Sequence, residues 1–377
     1  MPGAALRIGF IPLIDAAPLI AALELGYFSE EGLNATLHRQ VGWANIRDKL
    51  SFGHLDAAHT LLGMPLVSHL GRDSFHEPLL GLMELGAGGN AITVSKDLHT
   101  AGVSSAADLA AVIRSQPRFA RLLIGHVFSS SMHHYLLRDW LASGGIDPDR
   151  DVKLCIIPPP QICDHMRGGY VDLFCAGEPW NSLATREGHG VSIVATTDIL
   201  PRHPEKLLAV TSSYARQNAY QLVPMIRAIL RACAWCQRIE NRSALARMLA
   251  GPEYIAQPAE LIEQSLSIGN NFGSSRHQKN VRPDNWSLRS FSTEQTFPNK
   301  MHFAWMLQQM IRWGHLSNEA DVQGIAERCS DSTAYRTAAA SLDIPCPTED
   351  FVPMELRGGS RLALDSVTST TALASAR

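Results

Sequence analysis

The sequence predicts an α/β protein of two lobes around a central ligand cleft, followed by a helical C-terminal part. Three observations predict it. Over roughly the first 200 residues, short β-rich runs alternate with helical runs, the pattern of helices packed on mainly parallel sheets. From about Tyr214 the chain changes to long helices with few strands. Helices open directly from strand ends, so two such halves leave a crevice where the carboxyl ends of their strands face each other.

Strands are expected at 6–11, 35–41, 90–96, 122–127, 152–157, 171–175 and 191–196. Asp15 is expected to cap a helix with Pro18 in its first turn, and Pro65 and Pro179 take similar early helix positions. Ser130 or Ser131 caps the helix that runs through Trp140 and stops at Gly144-Gly145. Long helices are expected over 214–240 and 300–313, separated by a Ser-, Asn- and Arg-rich loop at 273–292. The Ser/Thr/Ala-rich tail from Gly358 to Arg377 reads as disordered or loosely attached. Helix N-termini at the crevice present free N–H groups and partial positive charge, which favours an anion.

At 377 residues, 45% hydrophobic and 18% charged, the chain has ample material for large cores. A formal net charge of −3 with interspersed signs gives no nucleic-acid or membrane surface. The run Leu6-Arg7-Ile8-Gly9-Phe10-Ile11 reads as a first core strand with no secretory signal before it, so the expectation is a cytoplasmic protein. The seven cysteines form no regular framework. Cys233 and Cys236 make a C-x-x-C inside a strongly helical stretch, which reads as a structural pair. Phosphate-loop, dinucleotide, nucleophile-elbow and zinc-protease motifs are absent. The 15 histidines form no legible metal cluster, and adjacent His133 and His134 cannot face the same way on a helix. Neither an enzyme nor a cofactor is expected.

Five strings resemble one family: Gly9-Phe10-Ile11-Pro12-Leu13-Ile14-Asp15-Ala16-Ala17-Pro18, Gly42-Trp43-Ala44-Asn45-Ile46-Arg47-Asp48, Trp140-Leu141-Ala142-Ser143-Gly144-Gly145-Ile146-Asp147-Pro148-Asp149, Gly177-Glu178-Pro179-Trp180-Asn181 and His203-Pro204-Glu205-Lys206. They resemble the nitrate- and bicarbonate-binding receptors of ABC transporters. The resemblance implies a type II periplasmic-binding-protein fold with two lobes joined by hinge strands. The expected division is 1–96 with 205–357 as the first lobe, 97–204 as the second, and 358–377 as a tail. Lacking a recognisable signal, the chain is most similar within that family to cytoplasmic nitrate/nitrite sensors of the NasS type. Such a sensor holds an RNA-binding antiterminator of the NasT type inactive until the anion binds. A receptor for a nitrate or bicarbonate transporter is the alternative.

The resemblance also implies the ligand residues. Lys206 stands where nitrate receptors carry Lys and bicarbonate receptors an acidic group with calcium; read alone, it would be an exposed Lys heading the strand 207–211. His133 aligns with the family's ligand His in the first turn of its helix, although Ser129–Ser131 replace glycines there and His134 an acidic residue. Trp43 offers an indole N–H that donates and cannot accept. Gly177 would let its backbone N–H approach closely, and Asn90 stands where transporter receptors often have Gln. Glu178 would repel an anion, so it either orients Lys206 or His133 or caps the Pro179 helix.

Overall fold

The computed structural model describes residues 5–72, 76–119, 121–267 and 289–368. Ten strands form two five-stranded sheets. The first sheet contains β1 (Leu6–Phe10), β2 (Ala35–Arg39), β3 (Ala57–Leu61) and β4 (Leu79–Glu84). The second contains β5 (Asn90–Ser95), β6 (Leu123–His126), β7 (Lys153–Ile156), β8 (Leu173–Gly177) and β9 (Gly190–Ala195). The chain then returns to the first sheet as β10 (Lys206–Thr211). The strand orders are β2-β1-β3-β10-β4 and β9-β5-β8-β6-β7.

Both sheets are mixed rather than mainly parallel. In the first, β1 runs parallel to β2 and β3, while the returning β10 runs antiparallel to β3 and β4. In the second, β5 runs antiparallel to β8 and β9. The antiparallel strand in each sheet is the one that follows a crossing between sheets, so its direction is set by the crossing and not by a helical connection. Asn90–Ser95, expected in the first lobe, pairs in the second sheet, which moves the first crossing to just before Asn90. The two crossings lie side by side: Leu85 N–H donates to Lys206 O, and Gly88 N–H to His203 O. Strands β3 and β4 escape the sequence reading because Ala-Ala-His-Thr-Leu and Leu-Leu-Gly-Leu-Met-Glu carry few β-branched residues.

The helices that matter for the site are α1 (Ala17–Glu24), α2 (Trp43–Ser51), α3 (Met132–Ser143), α4 (Trp180–Arg186), α5 (Ala219–Gln237) and α6 (Lys300–Arg312). The Ser131 hydroxyl accepts from His134 N–H and caps α3. The helix expected over 214–240 divides at Asn218. Cys233 and Cys236 form no disulfide and are buried in α5, within the core shared with α1 and the first sheet. Asp15 is not a helix cap: α1 starts after Ala16, whose side chain makes no capping bond, and Asp15 sits in the short 3-10 turn Ile14–Ala16.

Most of the loop expected at 273–292 lies outside the described residues, as does 369–377. The earlier part of the tail is anchored. Arg361–Leu362 pairs with Met354–Glu355, a short helix covers Leu364–Thr368, and Leu362 and Val367 are buried against α6. A few apolar side chains hold a segment whose composition otherwise reads as loose.

One apolar cluster runs from Ile11, Trp43, Ile46 and Leu61 of the first lobe to Val127, Phe174 and Trp180 of the second, so the lobes meet across the cleft. The contact is close. A Cβ on Gly63 would fall 2.0 Å from the Ser130 carbonyl oxygen, and the Trp180 indole donates to Pro12 O at 3.1 Å.

Candidate functional site

The head of β10 carries Lys206 into the centre of the molecule. Its ammonium lies 2.8 Å from Asp15 Oδ2 and 2.5 Å from Glu205 Oε2, with all three side chains buried. It also stands 5.8 Å from the centroid of the Trp43 ring. The surface lysine that this position suggests in isolation is therefore a fully buried ion triad. Paired burial is what makes such charges tolerable, since an isolated ion in a protein interior costs several kcal/mol.

The second lobe closes the triad from the other side. His133, in the first turn of α3, places Nδ1 3.8 Å from Glu205 Oε2. Burial pushes its imidazole down to about 3, against the pull of Glu205 and Asp15. His203 holds the remaining Glu205 oxygen, with Nδ1 3.3 Å from Oε1. Burial alone would raise the Glu205 carboxyl, but Lys206, His133 and His203 outweigh it and hold it well below the usual range. The chain continues through His203 Nε2, 2.8 Å from Thr196 Oγ1, which donates to Asn90 O at 3.0 Å. One polar path thus links β5 of the second sheet to Asp15 of the first lobe.

Asn90 and Gly177 stand opposite each other in the β5–β8 register. A Cβ on Gly177 would lie 3.2 Å from Leu13 Cδ2, 3.3 Å from Asn90 Oδ1 and 3.4 Å from Asp15 Oδ2. Glycine keeps that space between the lobes open. Trp43, Asn90, His133, Gly177 and Lys206, scattered over more than 160 positions (206 minus 43), thus gather around Asp15 and Glu205.

These side chains share a second property. Trp43 Nε1, both amide atoms of Asn90 and both ring nitrogens of His133 are buried with no hydrogen-bond partner in the protein. Each such group costs about 1–3 kcal/mol when unsatisfied, and buried polar atoms are otherwise almost always paired. Orphaned polar atoms gathered near a buried ammonium, the Trp43 and Asn90 N–H groups among them, have the chemistry to hold a small oxyanion.

Glu178 does not orient Lys206 or His133. Its carboxylate accepts from Ser182 N–H at 3.1 Å, capping α4, and burial pushes it up to about 7 against that bond. The carboxylates that do hold Lys206 are Asp15, expected from sequence only as a helix cap, and Glu205, to which the sequence gives no role. A signal was present: Asp15 interrupts the apolar run Leu13-Ile14-Asp15-Ala16-Ala17, where a carboxylate needs a buried partner. Among the described residues, no group of three His, Cys, Asp or Glu side chains is arranged to hold a metal ion. An open cavity of about 510 Å³ beside α3 and α6, lined by Trp140, Trp305, Arg312 and Arg357, is separate from this cluster.

A family model described as the NMT1-like family matches residues 1–250, two thirds of the chain. The chain belongs to the NMT1-like family. A nitrate/nitrite binding protein, NrtA of Synechococcus elongatus, is similar to this NMT1-like chain at 32% identity over 371 residues, covering 96% of the chain and 82% of NrtA. The nitrate import ATP-binding protein NrtC of Synechocystis is 33% identical over 342 residues, covering 90% of the chain. The chain spans about half the length of that relative, 50%. The crystal structure of the periplasmic nitrate-binding protein NrtA from Synechocystis superposes with a TM-score of 0.90 at 26% identity, covering 99% of this chain and 98% of that one. A Candida albicans protein described as having the generic periplasmic-binding-protein fold gives 0.62 at 11% identity, a likeness of fold alone. The two mixed sheets and their helices are that fold.

Proposed function

We propose that this NMT1-like protein binds nitrate or nitrite between its lobes, at Lys206, His133, Trp43, Asn90 and the Gly177 backbone. The observation that carries the reading is a buried ammonium with buried, unpartnered polar side chains, N–H donors among them, gathered around it. The names of the similar NrtA proteins support the choice of anion. A trigonal oxyanion uses one formal charge and several N–H groups, which these side chains supply. Titration calorimetry with nitrate, nitrite, bicarbonate and chloride tests it. Nitrate or nitrite binds and raises the melting temperature, and ligand at about 100 times its dissociation constant adds about 2.7 kcal/mol. A larger shift with bicarbonate plus calcium overturns the assignment.

We further propose that the chain acts in the cytoplasm as a sensor, its readout an RNA-binding antiterminator of the NasT type. The resemblance of the five strings supports this, as does a ligand position touched by both lobes, since closure there couples the anion to any partner that prefers the open form. The partner co-purifies without ligand and dissociates with nitrate or nitrite; light scattering with and without the anion measures it. The names of the import relatives favour a second reading, a receptor of a nitrate ABC transporter. Stimulation of a nitrate transporter's ATPase by the loaded protein, with no antiterminator bound in either state, decides for that reading.

A further inference from the structure

The proposed anion must enter a cluster that already holds two carboxylates. Asp15 and Glu205 both lie against Lys206, and all three are sealed from solvent. A bare monoanion added there raises the negative charge of a closed, low-dielectric space by one, a change that buried sites resist strongly. The groups facing the point of entry are Asp15 from the turn before α1, Lys206 and Glu205 from the head of β10, His203 from the second crossing and His133 from α3. Glu178, next to Gly177, has its carboxylate turned to Ser182 in α4. His133 differs from the other four in geometry. Like them it is fully buried, but both of its ring nitrogens lack hydrogen-bond partners, and Nδ1 already stands 3.8 Å from Glu205 Oε2.

Resting on the anion reading above, we infer that Asp15 and Glu205 restrict the site to one monoanion taken up together with one proton, which the His133–Glu205 pair holds. The proton comes from solvent and forms an N–H on the imidazole, facing Glu205 on one side and the anion on the other. No other bond is made or broken. Gaining one negative ion and one proton leaves the charge of the cluster as it was, whichever tautomer His203 holds. The anion also explains why the proton stays: a second negative charge beside the imidazole favours its charged form, against the burial that otherwise suppresses it. Because the two groups are so close, the proton belongs to the pair rather than to either residue. Dianions such as sulfate would need two protons and are rejected.

The test is a pH-stat titration of the full chain with sodium nitrate, in unbuffered solution near about pH 6, alongside affinities measured from about pH 6 to 8 in a cationic buffer. We expect close to one equivalent of acid taken up per nitrate bound, affinity falling by up to about tenfold per pH unit, and sulfate at least about a hundredfold weaker than nitrate. His133→Gln abolishes the acid uptake. Should that variant fail to fold, Glu205→Gln serves instead: with one carboxylate gone, nitrate enters a folded protein with little or no proton. Nitrate binding without acid uptake in the natural protein overturns the inference and leaves the anion reading standing. So does uptake unchanged in both variants. Absence of nitrate binding at every pH overturns both.

Discussion

His133 and His134 are neighbours on α3, both buried, and live in opposite electrical surroundings. His133 faces Glu205, Asp15 and Lys206 and has no hydrogen-bond partner. His134 packs between His126 and His315, with ring centroids at 4.5 and 5.6 Å, and its Nε2 accepts from Arg138 Nε at 2.9 Å. Burial, His126, Arg138 and His315 all push the His134 ring well below its ordinary range. The first ring is surrounded by groups that would welcome a proton once the local charge changes. The second is locked neutral, because the nitrogen facing Arg138 must keep its lone pair. Helical geometry turns adjacent residues about 100° apart, and here that rotation separates the proposed ligand position from a packing position.

Charge removal breaks the comparison most sharply. Lys206→Ala should reduce nitrate affinity by at least about a hundredfold. It should also destabilise the protein by about 3–5 kcal/mol, because Asp15 and Glu205 are left buried without their cation. Arg138→Ala should leave nitrate affinity unchanged and cost roughly 2 kcal/mol, since its partner Asp149 reaches solvent. Calorimetry and thermal melting on both variants separate the two clusters.

Swapping the histidines comes next. His133→Ala should weaken nitrate by roughly ten- to a hundredfold with little change in melting temperature, whereas His134→Ala should retain affinity and lose about 1–3 kcal/mol of stability. Equal effects on affinity would erase the distinction between the two faces of α3.

Glu178 supplies a third buried titrating group, with a raised rather than a lowered pKa. A carboxyl held near 7 when folded and near 4.5 when unfolded binds more protons in the folded state. It therefore lowers stability progressively as pH rises from about 4.5 to 7, by up to roughly 3 kcal/mol. Glu178→Gln should flatten that slope and stabilise the protein near pH 8, with nitrate affinity little changed; chemical denaturation across pH measures it. Gly177→Ala has the smallest expected effect. A methyl at 3.2–3.4 Å from Leu13, Asn90 and Asp15 should weaken nitrate several-fold and cost under about 1.5 kcal/mol.

Much of the architecture is legible in the sequence because it depends on local periodicity. The alternation of strands and helices, the Ser131 cap and the burial of the Cys233–Cys236 pair all follow from short stretches read alone. The mixed sheets do not, because the directions of β5 and β10 depend on where the chain crosses between sheets. The gathering of Trp43, Asn90, His133, Gly177 and Lys206 was reached through resemblance, since no spacing in the chain joins them.

Sequence by itself determined the α/β class, the Ser131 start of α3 and the residue types able to hold an anion. Only the tertiary structure decided that Lys206 is buried, that Asp15 pairs with it instead of capping a helix, and that Glu178 turns away to Ser182. The physical reason is the range of the forces involved. Backbone propensity acts over a few residues, whereas the charge state of a buried group depends on neighbours that folding brings from far along the chain.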